Sequence, residues 1–255
     1  MDARRAKQLI YGTLYGLVLL GIIAGAYFSF FRVAPSCFDN VQNQNETGVD
    51  CGGSCPNACV PSDAKSISVR EVRTFTSSEG HVTALGQIAD TSSDFAARGF
   101  DYTFTLYDAS SNIVQTVSGH SFIYAGEVKY LLAPNVSVAN PVDRAVLAIS
   151  NVDWVTASAL GIVPQFGNSP SVAGNTVSSS TVTVDGQLID RDFATFTDIL
   201  IIAILKSTDG REIGASQTKI DRIAPNETAN FSVSYPAIPG LDPSLTQLYA
   251  YTRRQ

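Results

Sequence analysis

From Gln8 to Phe31 the chain reads QLIYGTLYGLVLLGIIAGAYFSFF, without one charged side chain. At about 1.5 Å rise per residue this run makes a helix roughly 36 Å long, enough to cross a hydrocarbon core of about 30 Å with some tilt. A core helix of a soluble protein is seldom apolar on every face. Tyr11, Tyr15, Tyr27, Phe28, Phe30 and Phe31 lie mostly toward its two ends, where an interfacial aromatic belt sits. The pattern predicts a transmembrane helix over 9–31, in contact with the lipid bilayer. A cleaved signal peptide is the rival, because Ala24-Gly25-Ala26 has the small-residue look of a cleavage site. Against it, the apolar run continues past that point.

Arg4, Arg5 and Lys7 precede the run and only Arg32 follows it closely. This asymmetry puts residues 1–8 in the cytoplasm and residues 33–255 outside the cell membrane. Gly12-xxx-Gly16 and Gly21-xxx-Gly25 would let two helices approach closely. Glycine is common in unpaired membrane helices too, so a homo-oligomer stays an open alternative. The net charge is −6, with basic residues concentrated around the run. The body beyond it is more acidic still and repels phosphate backbones, which excludes nucleic acid as a partner class.

All four cysteines, Cys37, Cys51, Cys55 and Cys59, follow in a polar, glycine-rich segment, expected as a stalk over 33–64. Zinc sites favour closer cysteine pairs and often histidine, yet His81 and His120 are distant in sequence. A redox centre would need Cys-x-x-Cys on a βαβ unit. Outside the membrane thiols are oxidised, and an even number pairs. The expectation is two disulfides, with no metal and no cofactor. A segment with almost nothing to bury needs such crosslinks, each contributing about 2–4 kcal/mol. Four cysteines allow three pairings, and spacing does not choose among them.

This stretch resembles a short cysteine-rich segment of secreted and membrane-anchored surface proteins. The matching residues are Cys37, Asp39, Asn43, Glu46, Thr47, Asp50, Cys51, Gly52, Gly53, Cys55 and Cys59. The resemblance implies an extracytoplasmic setting and no enzymatic activity. Asp39, Asn43, Glu46 and Asp50 offer oxygens to calcium but depart from the EF-hand pattern.

Beyond Pro61 apolar residues alternate with period two. Val82, Ala84, Gly86 and Ile88 share one face, as do Tyr102, Phe104 and Leu106, which is the pattern of half-buried strands. HVTALGQIAD (81–90) then recurs as TVTVDGQLID (181–190), and IYAGE (123–127) faces IAPNE (223–227). Such ordered matches indicate a tandem duplication. The expected fold is all-β, two tandem Ig-like antiparallel sandwiches over 65–157 and 176–255. Residues 158–175 form a linker whose apolar first half, Leu160 to Phe166, is docked on something.

Phe104-Thr105-Leu106-Tyr107-Asp108 resembles the namesake motif of the FxLYD domain, a small Ig-like sandwich of cell-envelope proteins. The second copy has Ile202-Ala203-Ile204-Leu205-Lys206 there, and Asp90 and Asp190 stand where that family often has Asn. The resemblance implies a spacer or binding module.

Aligned at an offset of 98, Leu200, Ile202 and Ile204 replace the core-facing Tyr102, Phe104 and Leu106. Ile201, Ala203 and Leu205 then form an apolar outer row, costly in water at about 25 cal/mol per Å². The expectation is an interaction face covered by the linker, the first copy or a partner; the alternative is a central strand whose outer row is shielded by long side chains of its neighbours.

The catalytic motifs of hydrolases, P-loops and zincins are absent from the sequence. His120 and Ser121, neighbours on a strand, point to opposite faces. Tyr102, Tyr107, Tyr124, Tyr130 and Trp154 suit packing, and Asn45, Asn135, Asn226 and Asn230 open glycosylation triplets. The expected function is non-enzymatic: a single-pass protein displaying its domains for structural roles or for binding an unknown protein or surface polymer. The alternative is an accessory subunit or hydrolase with an unrecognised site, which would need Asp and His side chains converging in a pocket.

Overall fold

In a computed structural model the described residues are 3–30, 36–55, 59, 67–170, 176–177, 181–237 and 239–254. Parts of the expected stalk (33–35, 56–58, 60–64) and linker (171–175) lie outside them. The chain divides into two compact units, Met1–Cys59 and Val60–Gln255.

The first unit holds helix α1, Ala3–Phe30. Its stretch Lys7–Phe28 is 22 residues long, none of it buried, and is apolar and long enough to cross a membrane. The cysteines form two disulfides, Cys37–Cys55 and Cys51–Cys59. Their loop is organised around its own carboxylates. Asp50 accepts the backbone N–H groups of Asp39 and Asn40, and Glu46 accepts those of Asn43 and Asp50. Asp39 accepts the N–H groups of Ser36 and Val41 and the Asn43 side chain, bonds that hold its carboxyl below the usual range. The Asp39, Glu46 and Asp50 carboxylates are thus already hydrogen-bond acceptors for a loop with no core, while the Asn43 side-chain oxygen is buried and accepts no hydrogen bond from the described residues. Glu46 also lies beside the Cys37 and Cys55 sulfurs, but sulfurs joined in a disulfide are not thiolate ligands.

The second unit is built from strands. β1 (Ile67–Ser78), β2 (His81–Asp90) and β5 (Val128–Ser137) form one sheet in the order β1-β2-β5. β3 (Phe95–Tyr107), β4 (Ile113–Ile123) and β6 (Arg144–Thr156) form a second in the order β4-β3-β6. All the pairings are antiparallel. Between the sheets lies a core of Ala84, Ile88, Phe100, Phe104, Leu106, Ile123, Leu131 and Leu147, with Trp154 packed against it.

The same topology follows again. After α2 (Ala157–Leu160), β7 (Phe166–Pro170), β9 (Thr181–Asp190) and β12 (Thr228–Pro236) form a sheet in the order β12-β9-β7, with the short β8 (Thr176–Val177) also on β9. β10 (Phe196–Ser207), β11 (Glu212–Ile223) and β13 (Leu241–Tyr251) form the order β11-β10-β13. The second sandwich therefore begins inside the stretch expected as linker. Its edge strand β7 is recruited by Phe166, whose ring meets Phe196 at 5.3 Å. Of the other apolar linker residues, Leu160 is buried against Ala96 and Tyr124 with Val163 packed beside it, whereas Ile162 is exposed.

Local details match as well. Asp90 and Asp190 each close a strand, accepting the N–H two residues on at 2.8 Å. Glu127 and Glu227 each cap a turn, accepting the N–H of Tyr124 and Ala224. Gly86 and Gly186 face the two cores, where a methyl group would meet Leu147 and Phe104 in one and the Phe231 ring in the other. Overpacking of this kind costs about 1–3 kcal/mol. Gly186→Ala should lower stability by that amount in chemical denaturation; an unchanged midpoint would show that Phe231 moves aside freely.

Candidate functional site

One expectation is corrected here. Ile201, Ala203 and Leu205 do not form an outer face. They are buried inside the second sandwich, Ile201 and Ala203 against Leu188, Phe231 and Val233, and Leu205 against Val182, Val184 and Tyr235. The physical reason is a bulge. β3 shifts register around Arg98 and Gly99 against both neighbours, whereas β10 runs regularly to Leu205. The turns that end them, where Asp108 N–H bonds Asn112 O and Ser207 N–H bonds Arg211 O, stand 99 residues apart, not 98. A slip of one residue inverts every side chain of a strand.

The outer row is Leu200, Ile202 and Ile204, and it is covered by the first sandwich. Ile202 and Ile204, both fully buried, pack with Ala215 and Tyr251 against Phe75, Leu85 and Leu132. The two seam sheets thus meet back to back, making four layers with three apolar interiors. This explains why β2 and β10 are apolar on both faces, as strands buried from both sides are. The Tyr130 and Tyr249 rings meet at 4.7 Å between centroids with their planes tilted by 53°, and the Tyr251 hydroxyl accepts the Tyr130 N–H at 3.0 Å. Burial raises the Tyr251 hydroxyl far above its usual pKa. At the rim, Arg73 of β1 pairs with Glu212 of β11 at 2.8 Å.

One end of the seam carries a polar knot. Lys129 is 1% exposed. It donates to Phe122 O at 2.8 Å, with its ammonium 3.4 Å from the Phe122 ring centroid and 4.9 Å from that of Tyr251. Burial pulls its pKa down to about 8, partly opposed by the Glu127 charge. Burial likewise raises the Glu127 carboxyl, opposed by Lys129. Beside them the Tyr124 hydroxyl donates to Thr252 O and accepts the Arg254 N–H. Arg254 reaches Ile162 O and pairs with Asp192. β13 is thereby tied to the first sandwich and to the residues that join the two.

Sequence reasoning missed Lys129. Its one signal was a lysine inside the otherwise apolar VKYLLA (128–133). Tyr124 and Tyr130, expected to pack, do so in the knot and the seam. Tyr107 lies under the Arg144 guanidinium at 4.2 Å. His120 and Asp101 come together at 3.0 Å, and Asn151 donates to the same carboxylate. That pair is half exposed on the open face of the β4-β3-β6 sheet. Opposite the knot, the two sandwiches leave a cleft of about 340 Å³.

No protein-family model matches the chain, and no curated protein does. Among solved structures, a transglutaminase from red sea bream is similar at a TM-score of 0.23 and 7% identity, over 73% of this chain and 31% of that one. The chain thus spans less than a third of that protein's length. A likeness this faint carries no argument about fold or activity.

Proposed function

We propose that the chain is a non-enzymatic, single-pass membrane protein. It holds two fused β-sandwiches outside the cell membrane, as a structural module or as a binder of a protein or surface polymer. The observation that carries the reading is the wholly unburied apolar stretch Lys7–Phe28 ahead of the disulfide loop. An apolar surface of that length left in water is costly, and disulfides belong to oxidising compartments. The positive charges before the helix favour a cytoplasmic N-terminus. The repeated strand order, with the matched Asp90 and Asp190, supports two Ig-like copies of one ancestral domain, similar to the FxLYD type. Seam residues that lock the copies together suit display, where two loosely tethered domains would orient a ligand poorly.

Fractionation of cells making the full chain tests this. The intact chain should stay with membranes after carbonate extraction, and its cysteines should take up thiol reagent only after reduction. A soluble product cut near Ala26 would establish a signal peptide and overturn the anchor; four free thiols would overturn the external placement.

A further inference from the structure

We infer that the disulfide loop docks on the outer surface of the bilayer, seating Phe38, Val41 and Val49 among the lipid headgroups beside the exit of helix α1. The inference deepens the display reading, on which it rests for the membrane anchor. The loop is built inside out. Phe38, Val41 and Val49 are its large apolar side chains between 36 and 55, cysteine apart. All three point outward, at 75%, 57% and 54% exposed. A carboxylate takes the interior instead, Glu46 being 7% exposed.

Asp50 gathers the three. Its carboxylate accepts the N–H groups of Asp39 and Asn40 at 3.0 Å and 2.9 Å, which sets the Val49–Asp50 backbone against the bend over 38–41. The Cys37–Cys55 disulfide, next to Phe38, holds the loop shut. Crosslinks and carboxylates thus meet the entropy cost of ordering, and the apolar side chains are left out of the loop's own packing. A loop meant for water would gain by turning them inward.

What covers the patch follows from where it is tied. Residues 31–36 alone separate Phe30, the last of α1, from Cys37. That tether reaches at most about 25 Å. A patch leashed to a helix leaving the membrane meets the bilayer surface at an effective concentration no diffusing partner matches. The charges agree. Residues 33–59 contain no Lys or Arg, and Asp39, Glu46 and Asp50 turn their carboxylates to the loop's own N–H groups. The exterior therefore offers apolar side chains and neutral amides, which suits zwitterionic headgroups. An anionic surface would find no cation there. Apolar side chains of this kind seat in the boundary between headgroups and acyl chains.

The full chain should be reconstituted into phosphatidylcholine vesicles, with and without bromine on the acyl chains, and its indole fluorescence read. Trp154 is the one tryptophan of the parent and supplies the baseline. The emission added by Phe38→Trp should be blue-shifted, and brominated lipid should remove about half of it, as for a side chain about 5–10 Å into the boundary. Joining Val41→Asp and Val49→Asp to that variant, both at exposed positions, should return the emission to that of an indole in water and abolish the quenching. Thiol titration before and after reduction checks that the disulfides survive in each variant. Unshifted, unquenched emission from Phe38→Trp would overturn the inference, and so would quenching that survives both aspartates. A blue shift without bromine quenching would overturn it as well, since the patch would then be packed on protein. Flotation of the chain with the vesicles reads the anchor separately. A chain left behind defeats the display reading and this one together, whereas a floated chain with its loop in water defeats this one alone.

Discussion

Placing aspartate at both Ile202 and Ile204 should part the two sandwiches without unfolding either core. Both side chains are fully buried in the seam, against Phe75, Leu85 and Leu132 of the first sandwich. An unpaired charge left in such a place costs several kcal/mol, and two together exceed what the contact can bear. The cheaper response is for the seam to open and hydrate the charges, since each sandwich keeps its own interior. Calorimetry of the full chain should then resolve two transitions where the parent shows one, and hydrogen exchange should rise along β2 and β5 first. Ile201→Asp, one residue away, should do something different. It puts its charge among Leu188, Phe231 and Val233 and should unfold the second sandwich outright. If the seam pair behaves like Ile201→Asp, or changes nothing, then the back-to-back packing is wrong.

That one-residue contrast marks the limit of what the chain discloses. The helix was legible because a long uncharged run has few physical outcomes. The strands were legible because Tyr102, Phe104 and Leu106 alternate with polar neighbours, and they do lie on the first core. The stretch ILIIAIL (199–205) has no polar neighbour to set its phase. A strand buried on both sides is apolar throughout, so its facing came only from alignment with β3, where the extra bulge residue reversed it. The apolar character correctly signalled a covered outer face; the row assigned to it was the other one. Pairing of the cysteines was equally hidden, since the choice depends on where the Asp50 and Glu46 carboxylates fold the loop. Cleft and knot were invisible for a related reason. Each is assembled from residues on both sandwiches, from Thr83 to Tyr235 and from Lys129 to Tyr251, and no spacing rule reaches that far.

The knot should make stability depend on pH in an unusual direction. Lys129 titrates near 8 in the folded chain, against about 10.4 when unfolded. Between those values the unfolded chain holds more protons, so stability should rise with pH through that window. Below about pH 8 the cost of burying the cation is fully present. Glu127→Gln removes the opposing charge while its amide oxygen still accepts the Tyr124 N–H made by the parent at 2.8 Å. At pH 7 this should destabilise the chain, because Lys129 then loses the charge that opposes its burial. Near pH 10.4 the loss should vanish, because Lys129 is then neutral and the burial cost of the Glu127 carboxylate has also gone. Lys129→Met fills the same space without charge, and a buried charge exchanged for an apolar side chain of like size is often neutral or stabilising. It should flatten the rise between pH 8 and 10. Joined to Glu127→Gln, it should restore most of the stability lost at pH 7, giving a large coupling in the double-mutant cycle. Urea denaturation of the full chain in detergent at pH 7, 8.5 and 10 reads all of these. A parent whose stability falls steadily across that range, with additive effects of the two substitutions, would mean that Lys129 is not held as a buried cation beside Glu127.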